Sequence, residues 1–234
     1  MKKVILILFI LSTSLIASDK LKLQNPKKSY EKIQCDKKNP KACSNYGITL
    51  YQNGNIKKAI STLKFSCSKN INIACGNLGV IYEKQGLKNK ALTLYKNSCL
   101  NKDYFACGNW ANYLYKSKKF KLAIKYFRIS CNNKNYNACT NYGIMENDLG
   151  HTERAKKLLH KACINKSQAG CYNQYSIFIL EQQTKKAYKY LTAACRYGHL
   201  LACKKMKNKN ITNSKDIKDK EFSDFMNKLE IRSN

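Results

Sequence analysis

Small and large apolar residues recur along this chain with a period of 32 residues. Five alanines occur at this interval, and a large apolar residue follows four positions after each: Ala59 and Leu63, Ala91 and Tyr95, Ala123 and Phe127, Ala155 and Leu159, Ala187 and Leu191. A spacing of four residues places both side chains on one face of a helix. The small residue lets a second helix approach, and the large one fills the groove between them. The pattern therefore predicts packed helix pairs.

Each 32-residue unit is interpreted as a helical hairpin. In the first unit we expect one helix from roughly Lys41 to Gln52, a turn at Asn53 to Asn55, and a second helix from roughly Ile56 to Ser66. A hairpin this small cannot bury its apolar face alone, so neighbouring hairpins must share a core. The sequence thus predicts an all-α chain that forms a right-handed α-α superhelix, or solenoid, of stacked hairpins.

The 12 cysteines repeat with the same period, in six pairs whose members lie eight positions apart. Two pairings are geometrically sensible. Bonds across each hairpin, from Cys43 with Cys67 through to Cys171 with Cys195, would leave Cys35 and Cys203 unpaired. Bonds across each connecting loop use every cysteine, and exported proteins seldom keep orphan thiols. We therefore favour six loop disulfides and keep the hairpin pairing as the alternative: Cys35–Cys43, Cys67–Cys75, Cys99–Cys107, Cys131–Cys139, Cys163–Cys171 and Cys195–Cys203.

The spacing of these cysteines does not suit metal binding or redox chemistry. Seven residues separate the members of each pair, whereas structural zinc sites usually have two to four. No C-x-x-C motif of the thiol oxidoreductases occurs. We expect no metal and no cofactor.

The two ends of the chain depart from the repeat. Residues 1–18, with two lysines, an apolar run from Val4 to Ile16 and then small residues, have the form of a secretory signal peptide. Residues 19–34 are predicted to form a lead-in helix, residues 35–203 the repeat solenoid, and residues 204–234 a polar connector and a capping helix. That last helix would carry Phe222, Phe225, Met226 and Leu229 on one face; binding of this face to a membrane or a partner is the alternative. We expect a secreted or periplasmic monomer with no membrane span.

The formal net charge of +30 arises from 44 basic and 14 acidic residues. Such a charge attracts polyanions. Nucleic acid is not expected, because the chain has the features of an exported protein and lacks a block of consecutive basic residues with interleaved aromatics. Anionic cell-wall polymers, lipid head groups or acidic proteins remain candidates.

The repeat resembles the Sel-one-like repeats of the tetratricopeptide superfamily, and specifically the cysteine-rich secreted bacterial proteins of the Hcp type. The motif A-C-x-N-[YLW]-G, then G, then K/R-A, then [SA]-C appears between Ala42 and Cys67, although the unit is shorter than is usual in the family. The resemblance implies a scaffold that holds peptides or proteins on a concave surface lined by first helices. It also implies a link to penicillin binding and β-lactamase activity, under which such proteins are commonly catalogued.

A row of asparagines is the candidate ligand-binding set. It stands two residues after the second cysteine of each pair: Asn45, Asn77, Asn109, Asn141 and Asn173. Amide side chains carry donors and an acceptor, so such a row could hold the backbone of an extended peptide, with nearby lysines binding a carboxylate. Alternatively, these amides bond the backbone of the connecting loops. The neighbouring Tyr46, Trp110 and Tyr142 are predicted to be core residues.

The β-lactamase alternative lacks its usual motifs. Three S-x-x-K tetrads begin at Ser29, Ser61 and Ser66, but no S-D-N or K-T-G follows. The three histidines, His151, His160 and His199, are too scattered for a zinc site. The catalytic residues of any such activity are therefore unknown. We favour an exported helical-repeat protein that binds peptides, proteins or cell-wall fragments, and keep slow hydrolysis of β-lactams as the alternative, with a peptidoglycan-like ligand.

Overall fold

The computed structural model describes residues 26–208, with the side chains of residues 30–207. Twelve helices occupy this part of the chain, separated by loops of three or four residues: α1 Pro26–Asp36, α2 Pro40–Gln52, α3 Ile56–Ser68, α4 Asn72–Lys84, α5 Lys88–Leu100, α6 Tyr104–Lys116, α7 Phe120–Asn132, α8 Tyr136–Asp148, α9 Thr152–Cys163, α10 Gln168–Leu180, α11 Thr184–Arg196 and α12 Leu200–Asn208. Over this range the chain contains no strand. The predicted all-α hairpin repeat is confirmed, and the first hairpin, α2–α3, agrees with its predicted bounds within two residues.

We number the hairpins 1 to 5, as α2–α3, α4–α5, α6–α7, α8–α9 and α10–α11. The predicted lead-in helix corresponds, in its described part, to α1, which runs on to Asp36. The predicted signal peptide and most of the predicted connector and capping helix lie outside the described residues. Among the described residues, no helix combines the length and the apolar character needed to cross a membrane.

The chain divides into two compact units, residues 1–94 and 95–234, and the division falls inside α5. In the first unit, the core is built from both helices of hairpin 1 and from α4: Leu50, Ala59, Leu63, Ala74, Leu78 and Ile81. In the second unit, one core cluster joins α6, α7 and α8. Another joins α10, α11 and α12 through residues such as Tyr175, Leu191 and Met206. Each unit is therefore a stack of hairpins that share their apolar faces.

Close contact within a hairpin follows from the small and large residues of the repeat. A Cβ atom added at Gly47 would lie 2.7 Å from Cγ of Leu63, and one added at Gly143 would lie 2.8 Å from Cγ of Leu159. Both leucines are buried, with 0% and 1% of their surface exposed. Ala59 and Ala155 are likewise fully buried. The alanines and the large apolar residues four positions later are thus buried on one face of the second helix, and a glycine of the first helix lets the two helices approach.

Six disulfide bonds join each helix pair to the next. In every bond, one cysteine lies in the last turn of a helix and the other near the start of the following helix: Cys35–Cys43, Cys67–Cys75, Cys99–Cys107, Cys131–Cys139, Cys163–Cys171 and Cys195–Cys203. The Cα atoms of Cys35 and Cys43 are 4.5 Å apart. The described residues contain no free cysteine. Closing a loop of this length contributes about 2.5 kcal/mol by the chain-entropy model.

Each disulfide spans a loop with a left-handed residue followed by a helix cap. Lys38, Lys102 and Lys134 have φ values of 60°, 67° and 65°. The next residue caps the following helix in most loops. Asn39 accepts hydrogen bonds from the backbone N–H groups of Lys41 and Ala42, and Asp103 accepts them from Phe105 and Ala106. These caps satisfy backbone donors that a helix start would otherwise leave unpaired.

Asp103 differs from the other caps because it places a carboxyl group in a buried position. It is 7% exposed. Burial raises the pKa of Asp103, and its two backbone hydrogen bonds only partly oppose the rise. Asn39 and Asn135 fill the same position with a neutral amide that caps equally well.

Truncation of a central core residue should be costly. Leu159→Ala is expected to lower the free energy of unfolding by about 2 to 5 kcal/mol, because the side chain is fully buried against Gly143. Urea denaturation of the oxidised protein measures this loss. Leu149→Ala is the control, since Leu149 is 44% exposed. Equal losses for the two variants would contradict the proposed packing.

Asp103→Asn should stabilise the protein in a pH-dependent way. A folded-state pKa above the unfolded value means that stability is lost as the pH rises from the unfolded pKa of about 4 through the folded pKa. The asparagine variant escapes this loss, so it should melt at a higher temperature than the parent at pH 7 and equally at pH 3. The reverse change, Asn135→Asp, should destabilise at pH 7. A melting difference for Asp103→Asn that does not vary with pH would contradict the assignment.

Candidate ligand-binding surface

The five asparagines of the sequence pattern all lie in the first half of a first helix. In the first unit, Asn45 is exposed on α2 and Asn77 is half-buried on α4. In the second unit, Asn109, Asn141 and Asn173 are half-buried on α6, α8 and α10. Since the repeat places them at one position in each hairpin, they face the same side of their helices.

Two of these amides are held by their own helices. Nδ2 of Asn77 donates to the carbonyl oxygen of Ile73 at 2.8 Å, and Nδ2 of Asn173 donates to that of Ala169 at 2.8 Å. The alternative that these side chains bond the connecting loops is therefore wrong for both, because each bond stays within the helix. One N–H donor and the Oδ1 acceptor of each amide remain for another partner.

The third amide links two neighbouring first helices. Nδ2 of Asn141 on α8 donates to Oδ1 of Asn112 on α6 at 2.8 Å. Asn112 lies one turn after Asn109, at a position occupied by Ile48, Val80, Ile144 or Ser176 in the other hairpins. Sequence comparison between repeats did not identify Asn112, because its position is not asparagine elsewhere. Two asparagines thus meet where α6 and α8 are adjacent, and Asn109 lies one turn before Asn112 on α6.

Helix geometry continues this surface along each first helix. On α6, residues spaced by four, three and four positions form one stripe: Phe105, Asn109, Asn112 and Lys116. The same positions on α10 hold Ala169, Asn173, Ser176 and Leu180. Phe105 is 62% exposed and Leu180 is 81% exposed. On α8 they hold Asn137, Asn141, Ile144 and Asp148. We call the stripes of α6, α8 and α10 the amide surface; its ends carry apolar side chains on some helices and charged ones, such as Lys116, on others.

The aromatic residues beside the asparagines belong mainly to the interior. Tyr142 is buried, and Trp110 packs partly buried against the same core cluster. Tyr46 packs in the same way against the core of the first unit. The ring of Trp110 stacks on that of Tyr113, with centroids 5.5 Å apart. The edge of the amide surface on α6 is thus rigidly supported.

The sequence analysis also did not identify a buried carboxylate on α8. Glu146 is 1% exposed and stands where the other hairpins have Leu50, Tyr82, Leu114 and Phe178. Its Oε2 lies 2.8 Å from Nδ1 of His151 and 3.4 Å from the guanidinium of Arg154. Burial and a hydrogen bond to Glu146 raise the pKa of the Tyr142 hydroxyl. The only sign of this cluster in the sequence is that Glu146 stands at a position where the other hairpins have an apolar or aromatic residue.

The residues considered for lactam hydrolysis are dispersed among structural roles. The hydroxyl of Ser66 is buried and donates to the carbonyl oxygen of Pro40 at 2.6 Å. The hydroxyl of Ser61 donates to the carbonyl oxygen of Lys58 at 3.0 Å, and the side chain of Ser29 lies outside the described ones. A nucleophile needs an adjacent base and a site for the developing oxyanion. Neither described serine is arranged in this way.

The three histidines serve separate contacts. His151 binds Glu146, His160 lies 2.9 Å from the hydroxyl of Tyr190, and His199 stacks on Tyr172. Within residues 26–208 no group of three metal-ligating side chains is brought together.

No family model matches the chain, and no curated protein matches it. Among solved structures, it is similar to c5321, a protective antigen present in uropathogenic Escherichia coli strains that displays an SLR fold. The TM-score is 0.66 at 17% identity, and the match covers 88% of this chain and 47% of that chain. The chain therefore spans about half the length of c5321.

Two further structures are similar to a comparable degree. A Sel1 repeat protein from Oxalobacter formigenes has a TM-score of 0.62 at 18% identity, covering 84% of this chain and 89% of that one. PilF of Pseudomonas aeruginosa has a TM-score of 0.58 at 15% identity, covering 68% and 76%. At these identities the similarity shows the fold, which is that of Sel1-like repeats. The finer assignment to the Hcp type and to β-lactamases rests on the sequence motif alone.

Replacement of Glu146 tests whether the buried carboxylate stabilises the fold. Glu146→Leu, which copies Leu50 and Leu114, is expected to leave the free energy of unfolding unchanged or to raise it by about 1 to 4 kcal/mol, because His151 and Arg154 are mostly exposed and regain water. Glu146→Ala leaves a cavity and should lower it by about 2 kcal/mol. Chemical denaturation separates the two. A leucine variant as unstable as the alanine variant would show that the carboxylate is required for stability.

Proposed function

We propose that the chain is an exported, disulfide-stapled helical-repeat protein that binds an extended peptide, a protein segment or a peptide-bearing cell-wall fragment on its amide surface. The observation that carries this proposal is the contact between Asn112 and Asn141 on adjacent first helices. It brings two amide groups together on a half-buried surface without using all of their hydrogen-bonding capacity.

An extended peptide matches the chemistry of this surface. Each amide that donates one hydrogen bond within the protein keeps an acceptor and a second donor, which suit the N–H and C=O groups of a ligand backbone. Lys116, exposed at one end of the α6 stripe, can pair with a carboxylate. Phe105 and Leu180 offer apolar contacts at the ends. A ligand of this kind would have an accessible backbone, a free carboxylate and apolar side chains near its ends.

Export to the periplasm or the outside of the cell fits the disulfides. Six structural disulfides persist in an oxidising compartment, whereas cytosolic thiols are kept reduced. The signal peptide proposed for residues 1–18 would supply the route. The same compartment contains the peptide stems of the cell wall, so free peptides and wall fragments are alternative sources of one ligand chemistry.

Selection from a random peptide library on the oxidised full-length chain tests the proposal. Peptides recovered from the selection are then measured for affinity against Asn109→Ala/Asn141→Ala. Loss of two backbone-directed amides is expected to weaken binding by about tenfold or more, at roughly 1 kcal/mol for each hydrogen bond. Soluble peptidoglycan stem peptides, assayed in parallel, distinguish wall fragments from other peptides.

The matched control is Asn165→Ala. Nδ2 of Asn165 donates to the carbonyl oxygen of Lys161, four residues earlier, at 2.8 Å, as Asn173 does to Ala169, but Asn165 lies in the loop that follows the second helix α9. Its removal should leave peptide affinity unchanged. Peptides that bind the parent and the double variant equally would overturn the assignment of the amide surface.

A further inference from the structure

The turn of hairpin 3 departs from the common pattern in two ways. At its left-handed position, hairpins 1, 2 and 4 have Gly54, Gly86 and Gly150, whereas hairpin 3 has Lys118 with a φ of 58°. Nothing lies within 4 Å of a Cβ added at any of those glycines. Left-handed lysines also occur in the loops that the disulfides span, as at Lys38 and Lys102. At the turn inside a hairpin, however, Lys118 takes the place of a glycine and adopts a backbone conformation that is less favourable for a residue with a Cβ atom. Hairpin 5, with Gln182 at a φ of 58°, shows that the position tolerates a long side chain.

The second departure is an apolar residue at a position that is basic in the other hairpins. Leu122 stands where the other hairpins have Lys58, Lys90, Arg154 and Lys186. It is 46% exposed, and Phe120, two residues earlier, is 42% exposed. Neither belongs to a core cluster of the second unit, although the ring of Phe120 lies 5.7 Å from that of Tyr115. Exposed apolar side chains occur elsewhere, as at Ile73, but here two of them interleave with cations.

These residues form one exposed segment, 118–122, which we call the cationic turn. It reads Lys-Lys-Phe-Lys-Leu, and all five residues are exposed. No ion pair is formed by its lysines with other described residues. Lys125, one turn further along α7, is exposed as well. The segment thus presents unpaired positive charge around two apolar side chains.

Acidic residues at the neighbouring turns of the second unit already have partners. Asp148 accepts a hydrogen bond from the hydroxyl of Tyr115 at 2.9 Å. Glu153 and Glu181 both pair with Lys156. Glu146 is buried with His151 and Arg154. These carboxylates are therefore engaged with other groups, and the charge of the cationic turn is left for an external anion.

We propose that the cationic turn docks the protein on an anionic phospholipid surface, with Phe120 and Leu122 inserted among the head groups. Charge complementarity selects the anion, since lysines beside an anionic bilayer each contribute about fivefold in affinity. The two apolar side chains favour a bilayer over a dissolved polyanion, because only the bilayer offers an apolar layer beneath its charged surface. None of the residues 118–122 belongs to the amide surface, although Lys116 of the α6 stripe precedes them by two positions.

Vesicle sedimentation with the oxidised full-length chain tests the proposal. The probes are vesicles with one quarter phosphatidylglycerol and vesicles of phosphatidylcholine alone. Lys118→Gly/Lys121→Ser is expected to bind the anionic vesicles about 25-fold more weakly than the parent. Every variant keeps residues 1–18, so any contribution of the apolar run there is common to all. Lys57→Ser/Lys58→Ser is the matched control; it loses the same charge from two exposed lysines of hairpin 1 and should bind like the parent.

A second variant separates a bilayer from a soluble polyanion. Phe120→Thr/Leu122→Arg copies residues of hairpin 4 and adds one positive charge. It should bind the anionic vesicles at least about tenfold more weakly, because burial of two apolar side chains is lost. Its binding to inorganic polyphosphate should be unchanged or tighter. Vesicle binding that persists in this variant would overturn the lipid assignment and identify a polyanion surface.

A local readout completes the experiment. Trp110→Phe/Phe120→Trp moves the single tryptophan of the chain into the cationic turn. Anionic vesicles should shift its emission to shorter wavelength, and brominated lipids should quench it. If the emission is insensitive to vesicles that bind the protein, or if the control loses as much affinity as Lys118→Gly/Lys121→Ser, the cationic turn is not the docking site.

Discussion

The disulfide bond between successive hairpins is the constraint on which the rest of the structure depends. Each disulfide joins the last turn of one helix to the start of the next, as between Cys67 and Cys75. The loop inside it is so short that it needs a left-handed residue, and in most of the loops the next residue caps the following helix. These requirements set the position of every first helix relative to the second helix before it. The asparagines follow the second cysteine of each disulfide by two residues, so the disulfides place them at the same position on each first helix.

The sequence predicted the parts of the molecule that repeat. The interval of 32 residues located the hairpins, and the buried alanine and large apolar residue of each second helix, such as Ala155 and Leu159, followed from it. The contact between Asn112 and Asn141 could not be found in this way, because it depends on which turns of adjacent helices face each other. Hydrogen bonds within a helix, as at Asn77, likewise depend on a rotamer that no residue pattern specifies.

Differences between repeats carry as much information as their common features. Five hairpins with one backbone plan act as internal controls for one another, so a residue that breaks the plan at no benefit to packing indicates another role. Glu146, Asn112, Lys118 and Leu122 all break it, and all four lie in hairpins 3 and 4. Apart from Glu146, the interior at these hairpins keeps the common pattern, as Ala123 and Phe127 show. The chain thus varies its surface chemistry while the stacking of its helices stays constant.

The local pairing of the cysteines has a consequence for how the chain matures. The cysteines are bonded in consecutive pairs, first with second, third with fourth and so on, from Cys35 with Cys43 to Cys195 with Cys203. A chain that emerges amino terminus first into an oxidising compartment presents its thiols in that order. An oxidant that joins each new thiol to the one just before it produces the native set directly. Maturation then needs no reshuffling of wrong pairs, a step that otherwise takes minutes to hours without an isomerase.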